Sequence, residues 1–165
     1  MIDLSIIIPC YKNESFTEKL LYDLIKLDGN KHEIFIFDNG AGESKDTCNI
    51  ISQLGAFTKA NLSYYSSQEN IGFSCACNKG QQLSKGSNIL FLNNDVRVTK
   101  NYDAWTKDII KECQAGNLVA AQSGLLDEKF NFVKEENKLM KSKYAYLSGW
   151  CLGGSRETLN KLKID

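Results

Sequence analysis

At 165 residues the chain has room for one domain with a real core and little beyond it. Twenty Lys and Arg balance twenty Asp and Glu, and 42% of the residues are hydrophobic, as in ordinary globular proteins. A formal charge of zero gives no support to nucleic acid or to a polybasic membrane surface as a partner. No apolar run reaches transmembrane length. The N-terminus is no secretory signal, because Asp3 comes early and Pro9 closes a short apolar run. The six cysteines lack zinc-ribbon spacing and read as reduced, mostly buried small side chains of a cytosolic protein.

In chain order, "LSIIIPC" reads as a strand stopped by Pro9, since proline cannot donate to a central ladder. Phe16, Leu20, Leu21, Leu24, Ile25 and Leu27 then form an apolar stripe of helical period, over Ser15 to about Leu27. Gly29 and Asn30 end that helix. "EIFIFDN" is the second strand; Gly40 and Gly42 make a turn, and Ser44 caps a helix running to about Leu54. His32, the single histidine, falls in the polar turn before this strand and is expected to face solvent without a catalytic role.

"LSYYSS" is a third, shorter strand. "FSCACNKGQQLS" has the small residues of a helix packed close to a sheet, and "SNILFLNND" is the next strand. A helix from about Tyr102 to Cys113 follows, then strand-like "LVAAQSGLL" and an alternating excursion, "KFNFVKEENK". Strands alternating with helices predict an α/β fold whose sheet is parallel through its first half. Continuous apolar strands suit a sheet covered on both faces.

In such sheets ligands bind beyond the carboxyl ends of the strands. That rule brings Pro9 to Asn13, Asp38 to Gly40, and Asn93 to Asp95 to one edge. No G-x-G-x-x-G follows the first strand, and neither a phosphate-binding G-x-x-x-x-G-K-S/T loop nor a G-x-S-x-G nucleophile elbow occurs. Tyr11 reads either as a ring that stacks on a flat ligand or as a core ring at a strand end. Asp38 reads either as an acceptor for ligand N–H and O–H groups or as the anchor of a "DNG" turn. Asp95 is a candidate Mg2+ or Mn2+ ligand, because such ions commonly take one or two protein carboxylates and fill their shell with phosphate and water. A helix cap or a simple turn is its other reading. Asn93 offers a neutral carbonyl oxygen alone.

Five stretches, "SIIIPCYKNE", "IFIFDNGAGESKDT", "NIGFSCACNKG", "ILFLNNDV" and "YLSGWCLGGSRETL", occur in an order that resembles one family. It is the GT-A-fold nucleotide-diphospho-sugar glycosyltransferases, in particular inverting family 2 and its rhamnosyltransferase-like branch. The resemblance implies a nucleotide floor formed by Pro9, Cys10 and Tyr11, with Glu14 opening the first helix and Asp38 at the base. It implies further nucleotide contacts from Asn70, Gly72, Asn78 and Asn94, with Gly80 a recurring glycine. "NND" stands where the family has its D-x-D metal motif, so Asp95 is its final acid and Asn93 replaces the first. Gly149 and Trp150, in a segment running to Gly154, together with Arg156, are implied on the acceptor side; a solvated arginine at a helix start is the other reading of Arg156.

The implied reaction moves a sugar from a dTDP- or UDP-linked donor to a hydroxyl of a saccharide or lipid-linked acceptor, with Mg2+ or Mn2+ assisting. A non-catalytic or degenerate nucleotide-sugar-binding module is the competing reading. The family's general base comes from an acidic pair late in the domain, and Glu135 and Glu136 stand too early for it. Residues 1–165 are therefore expected to be the N-terminal donor-binding part of a longer cytoplasmic transferase, the full-length form lying at the inner face of a membrane. Asp165 would open the segment that carries the base. The implied setting is surface polysaccharide or lipopolysaccharide synthesis.

Overall fold

The computed structural model describes residues 2–28, 31–40, 45–57, 60–98, 101–121, 123–126, 132–133, 145–147 and 149–162. The expected roles of Gly29, Asn30, Gly42, Ser44, Glu135, Glu136 and Asp165 lie outside them. Four parallel strands build most of the main sheet: β1 (Leu4–Cys10), β2 (Glu33–Asp38), β3 (Leu62–Ser66) and β4 (Asn88–Leu92). β9 (Cys151–Ser155) pairs antiparallel with β4, and the short β5 (Val119–Ala120) pairs with β9. The order is β3-β2-β1-β4-β9-β5. "LVAAQSGLL" is therefore two strands rather than one. Its second half, β6 (Ser123–Leu126), joins β7 (Phe132–Val133) and β8 (Ala145–Leu147) in a separate antiparallel sheet.

Every residue of β1 and β4 is buried, as expected of parallel strands covered on both faces. Even-numbered residues of β1, Leu4, Ile6, Ile8 and Cys10, pack with Ile34, Ile36, Leu90 and Leu92. That face is covered by α1 (Glu14–Asp28), α2 (Lys45–Phe57) and α4 (Tyr102–Gln114), which add Leu20, Leu21, Leu24, Leu54 and Tyr102. Ile7, Phe35, Phe37, Ile89 and Phe91 face the other way, toward α3 (Phe73–Leu83) and α5 (Arg156–Lys161). Each such aliphatic or aromatic side chain contributes roughly 1.5–3 kcal/mol on burial. α3 sits close: Ala76, Cys77 and Gly80 are buried, and a Cβ at Gly80 would stand 2.7 Å from Ile7 Cγ2. Small residues here are what closeness to the sheet demands.

Four expectations are corrected. Pro9 does not stop β1. The Cys10 carbonyl accepts from the Asn39 N–H at 2.8 Å, so even-numbered residues turn their backbone groups to β2. The missing N–H of Pro9 then falls on the β4 side, beyond the last pair Ile7↔Phe91, and no ladder bond is lost. His32 is 7% exposed, with its ring 6.0 Å from that of Tyr102 and its backbone N–H on Asp28 Oδ2. Burial holds its imidazole below the usual histidine range. Phe16, counted in the apolar stripe, lies in the first turn of α1 and is 44% exposed. Cys48 and Cys75 are exposed, while Cys10, Cys77 and Cys113 are buried as expected. No helix among the described residues is long and apolar enough to cross a membrane.

Candidate functional site

β1, β2, β3 and β4 all end at one edge, and the loops that follow them meet there. Past β1 the chain takes an uncommon path: Lys12 and Asn13 both have φ 58, the left-handed region that side chains disfavour. Such strain persists where the surroundings over-determine it, and it concentrates at ligand-binding sites. The double turn lets the Asn13 carbonyl accept from the N–H groups of Phe16 and Thr17, starting α1 immediately beyond the strand. It also leaves Tyr11 42% exposed, with Lys12 Nζ 5.1 Å from its ring centroid. Tyr11 is therefore an available aromatic face and no core ring.

Beside it opens a crevice of about 230 Å3, lined by Pro9, Cys10, Tyr11, Asn39, Asn70, Gly72 and Phe73. Pro9, Cys10, Tyr11, Asn70 and Gly72 were expected as nucleotide contacts; Asn39 was expected only at this edge, and Phe73 was not expected here. The Phe73 ring is 46% exposed at the start of α3, so two aromatic side chains border one crevice. The signal for Phe73 was a hydrophobic residue directly after a loop glycine, where a core position would stand further along the helix. Gly72 has φ 82, and a Cβ there would meet nothing within 4 Å. Backbone conformation selects glycine at this point, and the space above it is open. Burial pushes the Cys10 thiol up to about 12, so it is a neutral wall.

Asp38 was read either as a ligand acceptor or as a turn anchor. It is 1% exposed, with Oδ1 accepting from the Gly40 N–H at 2.9 Å and Oδ2 from the Tyr64 hydroxyl at 2.8 Å. The turn-anchor reading describes this geometry. Burial and the bond to Asp38 raise the Tyr64 phenol well above its ordinary range. Asn78 lies five residues into α3, half-buried and outside the crevice lining.

β4 ends in a turn that carries Asn93, Asn94 and Asp95. Asn94 Nδ2 donates to Thr17 Oγ1 at 3.0 Å, which ties the turn to the start of α1. The Asn93 N–H donates to the Trp150 carbonyl at 2.9 Å, which brings Gly149 and Trp150 to the same edge. Asp95 is exposed. Asn93 Oδ1 is buried and has no hydrogen-bond partner among the described residues. A buried acceptor left unpaired costs about 1–3 kcal/mol, and a cation is one group that would relieve it. Among the described residues no three His, Cys, Asp or Glu side chains gather as a metal cluster. One free carboxylate and one orphaned amide oxygen suit a hard ion that draws its other ligands from a diphosphate and water.

A second, apolar groove of about 460 Å3 lies on the α4 side of the sheet, between Leu92, Val96, Trp105, Ile109, Val119 and Trp150. Arg156 belongs to neither cavity. β9 runs antiparallel to β4, with Leu92↔Cys151 and Asn88↔Ser155, so the chain reaches Arg156 at the amino edge. Its guanidinium donates to the carbonyls of Gln81, Ser84 and Gly86 around the end of α3. The structure thus separates Arg156 from Gly149 and Trp150, with which it was expected on the acceptor side, and it is no solvated arginine either.

A sequence model of glycosyl transferase family 2 matches residues 5–144. No curated protein matches the chain in sequence. Among solved structures, the chain is similar to TarS of S. aureus in complex with UDP-GlcNAc, at 22% identity and TM-score 0.68 over 97% of this chain and 47% of that one. It is similar to the mannosyltransferase PcManGT of Pyrobaculum calidifontis, in complex with GDP-Man and Mn2+, at 15% identity and TM-score 0.71 over 96% and 46%. GalNAc-T7 with UDP, GalNAc and Mn2+ gives 16% identity and TM-score 0.75 over 99% and 36%. The chain spans less than half the length of each of the three.

Proposed function

Because the chain belongs to glycosyl transferase family 2, we propose that its carboxyl edge binds a nucleoside-diphosphate sugar and delivers the sugar to an acceptor hydroxyl. The observation that carries this reading is the crevice bordered by Tyr11 and Phe73, at the same sheet edge as the strand end that presents Asp95. Two exposed rings suit the flat base of a nucleotide, and the open backbone at Gly72 suits close approach of its ribose or diphosphate. The substitution of Asn93 for the first acid of D-x-D favours the rhamnosyltransferase-like branch, with a dTDP- or UDP-linked donor.

In the reaction we assign, the bond from the anomeric carbon to the diphosphate oxygen breaks and the leaving group keeps the electron pair. The acceptor oxygen bonds to that carbon from the opposite face, which inverts the configuration, and a general base takes its proton. Asp95, with Asn93 Oδ1, would hold Mg2+ or Mn2+, and the ion would neutralise charge developing on the diphosphate. Asn94 and Thr17 tie the turn that carries Asp95 to the start of α1. Trp150, at the same edge, borders the acceptor. No described residue is assigned as the base: Asp38 is committed to Gly40 and Tyr64, and Asp95 to the ion. The setting we propose is surface polysaccharide or lipopolysaccharide assembly on the cytoplasmic side of a membrane.

Asp95→Ala tests the reading. Binding of UDP and dTDP, each with Mn2+, is measured by calorimetry on the wild-type chain and the variant. The expected result is at least about tenfold weaker Mn2+-dependent binding, with urea stability unchanged to within about 0.5 kcal/mol, since an exposed strand-end carboxylate supports no core. Equal metal-dependent binding in the variant would remove Asp95 from the site. A wild-type chain that binds neither nucleotide would remove the donor site itself.

A further inference from the structure

Asn39 directly follows β2 and is 4% exposed, and neither polar atom of its side chain is spare. Its Nδ2 donates to Asn70 Oδ1 at 2.8 Å and to the Gly72 carbonyl at 3.3 Å. Its Oδ1 accepts from the Ile71 N–H at 2.9 Å. Asn70 Oδ1 also accepts from the Gly72 N–H at 2.9 Å, closing a small ring of bonds. One side chain at the end of β2 therefore grips the three residues that lead into α3. Gly72 is the N-cap of that helix and has no side chain to anchor it.

The body of α3 needs no such grip. Its Ala76, Cys77 and Gly80 are buried against β1 and β2, so the helix docks through residues one to two turns further on. The bonds of Asn39 act instead on the exposed lead-in, and that lead-in supplies Asn70, Gly72 and Phe73 to the crevice. Only an amide of this length satisfies the pattern. Aspartate keeps the acceptor but places a carboxylate oxygen against Asn70 Oδ1 and the Gly72 carbonyl, where donors are required. Serine is too short to span the loop.

We propose that Asn39 is a positioning residue for the nucleotide donor: it sets the Phe73 side of the crevice at a fixed separation from Tyr11 by latching Asn70–Gly72 to the end of β2. The proposal rests on the donor-site reading above. The ligand contacts are made by the rings and the loop, and Asn39 acts through them.

Asn39→Asp, Asn70→Ala and the double variant are compared with the wild-type chain in two measurements. Amide hydrogen exchange reports on the lead-in with no ligand present, and calorimetry with UDP, GDP and dTDP, each with Mn2+, reports on the crevice. Asn39→Asp is expected to speed exchange at Ile71, Gly72 and Phe73 at least about tenfold while β1 and β4 stay protected. It is expected to weaken nucleotide binding about tenfold, and the double variant should lose little more than either single one, because both break the same latch. A general loss of stability would speed exchange in β1 and β4 together with the lead-in, and that result would overturn the proposal. So would unchanged exchange at the lead-in, or unchanged nucleotide affinity in Asn39→Asp where the wild-type chain binds. A wild-type chain that binds none of the three nucleotides overturns the donor site and this role with it; faster exchange in Asn39→Asp would then mark the latch as purely structural.

Discussion

The two edges of the main sheet treat polar groups in opposite ways. At the amino edge, Glu33 is fully buried and accepts from Ser5 Oγ at 2.6 Å, Ser63 Oγ at 2.8 Å and the Lys85 N–H at 2.7 Å. Ser5 Oγ accepts in turn from the Gly86 N–H, and Arg156 closes the loop around residues 81–86 through its carbonyls. Burial lowers the Arg156 guanidinium from its ordinary range, and Glu33 opposes that shift. At the carboxyl edge, Tyr11, Phe16, Phe73 and Trp150 are exposed, Lys12 and Asn13 are strained, and Asn93 Oδ1 is unpaired among the described residues. A buried carboxylate with three donors holds the chain together, whereas exposed rings and an acceptor without a donor among the described residues keep free energy available for a ligand.

Arg156→Ala should break the closed edge with the largest effect. Three carbonyls lose a charged donor at once, and a loss of about 3 kcal/mol is expected in urea unfolding. Nucleotide affinity of the folded variant should stay at the wild-type value; a change in affinity with unaltered stability would return Arg156 to the substrate side. Phe73→Ala probes the open edge. Stacking of a base on an aromatic ring is worth ~1–3 kcal/mol, so UDP affinity should fall at least about fivefold with little change in melting temperature. Equal affinity would take Phe73 out of the nucleotide site. Lys12→Gly is the mildest test, expected to stabilise the chain by up to about 1 kcal/mol by relieving a left-handed residue. If the strain serves the position of Tyr11, the same variant binds nucleotide more weakly, and unaltered binding would make the strain incidental.

Much of the architecture was legible in the chain. Uninterrupted apolar runs marked β1, β2 and β4, and the spacing of Leu20, Leu21 and Leu24 marked the buried face of α1. The same reading placed Tyr11, Asp38 and Asp95 at one edge, because parallel strands must end together. It went astray where neighbours distant in sequence decide exposure. His32 looked like a turn residue and is covered by Asp28 and Tyr102. Arg156 looked like an acceptor-side or solvated charge, and the antiparallel direction of β9 carried it to the far edge.

Asn39 shows the division most plainly. Its place after a strand and before a glycine was visible in "FDNG", and that pattern supported a turn at the ligand-binding edge without saying which groups its amide would meet. The sequence by itself determined which strands are buried, where the helices begin and which residues can carry charge at the strand ends, since these follow from local periodicity and residue chemistry. Only the tertiary structure decided that Asp38 also accepts from Tyr64, that Asn39 grips Asn70 and Gly72, and that Phe73 faces the crevice. Those outcomes depend on hydrogen bonds and contacts between segments some 30 residues apart, and no local pattern encodes which partner a polar side chain will meet.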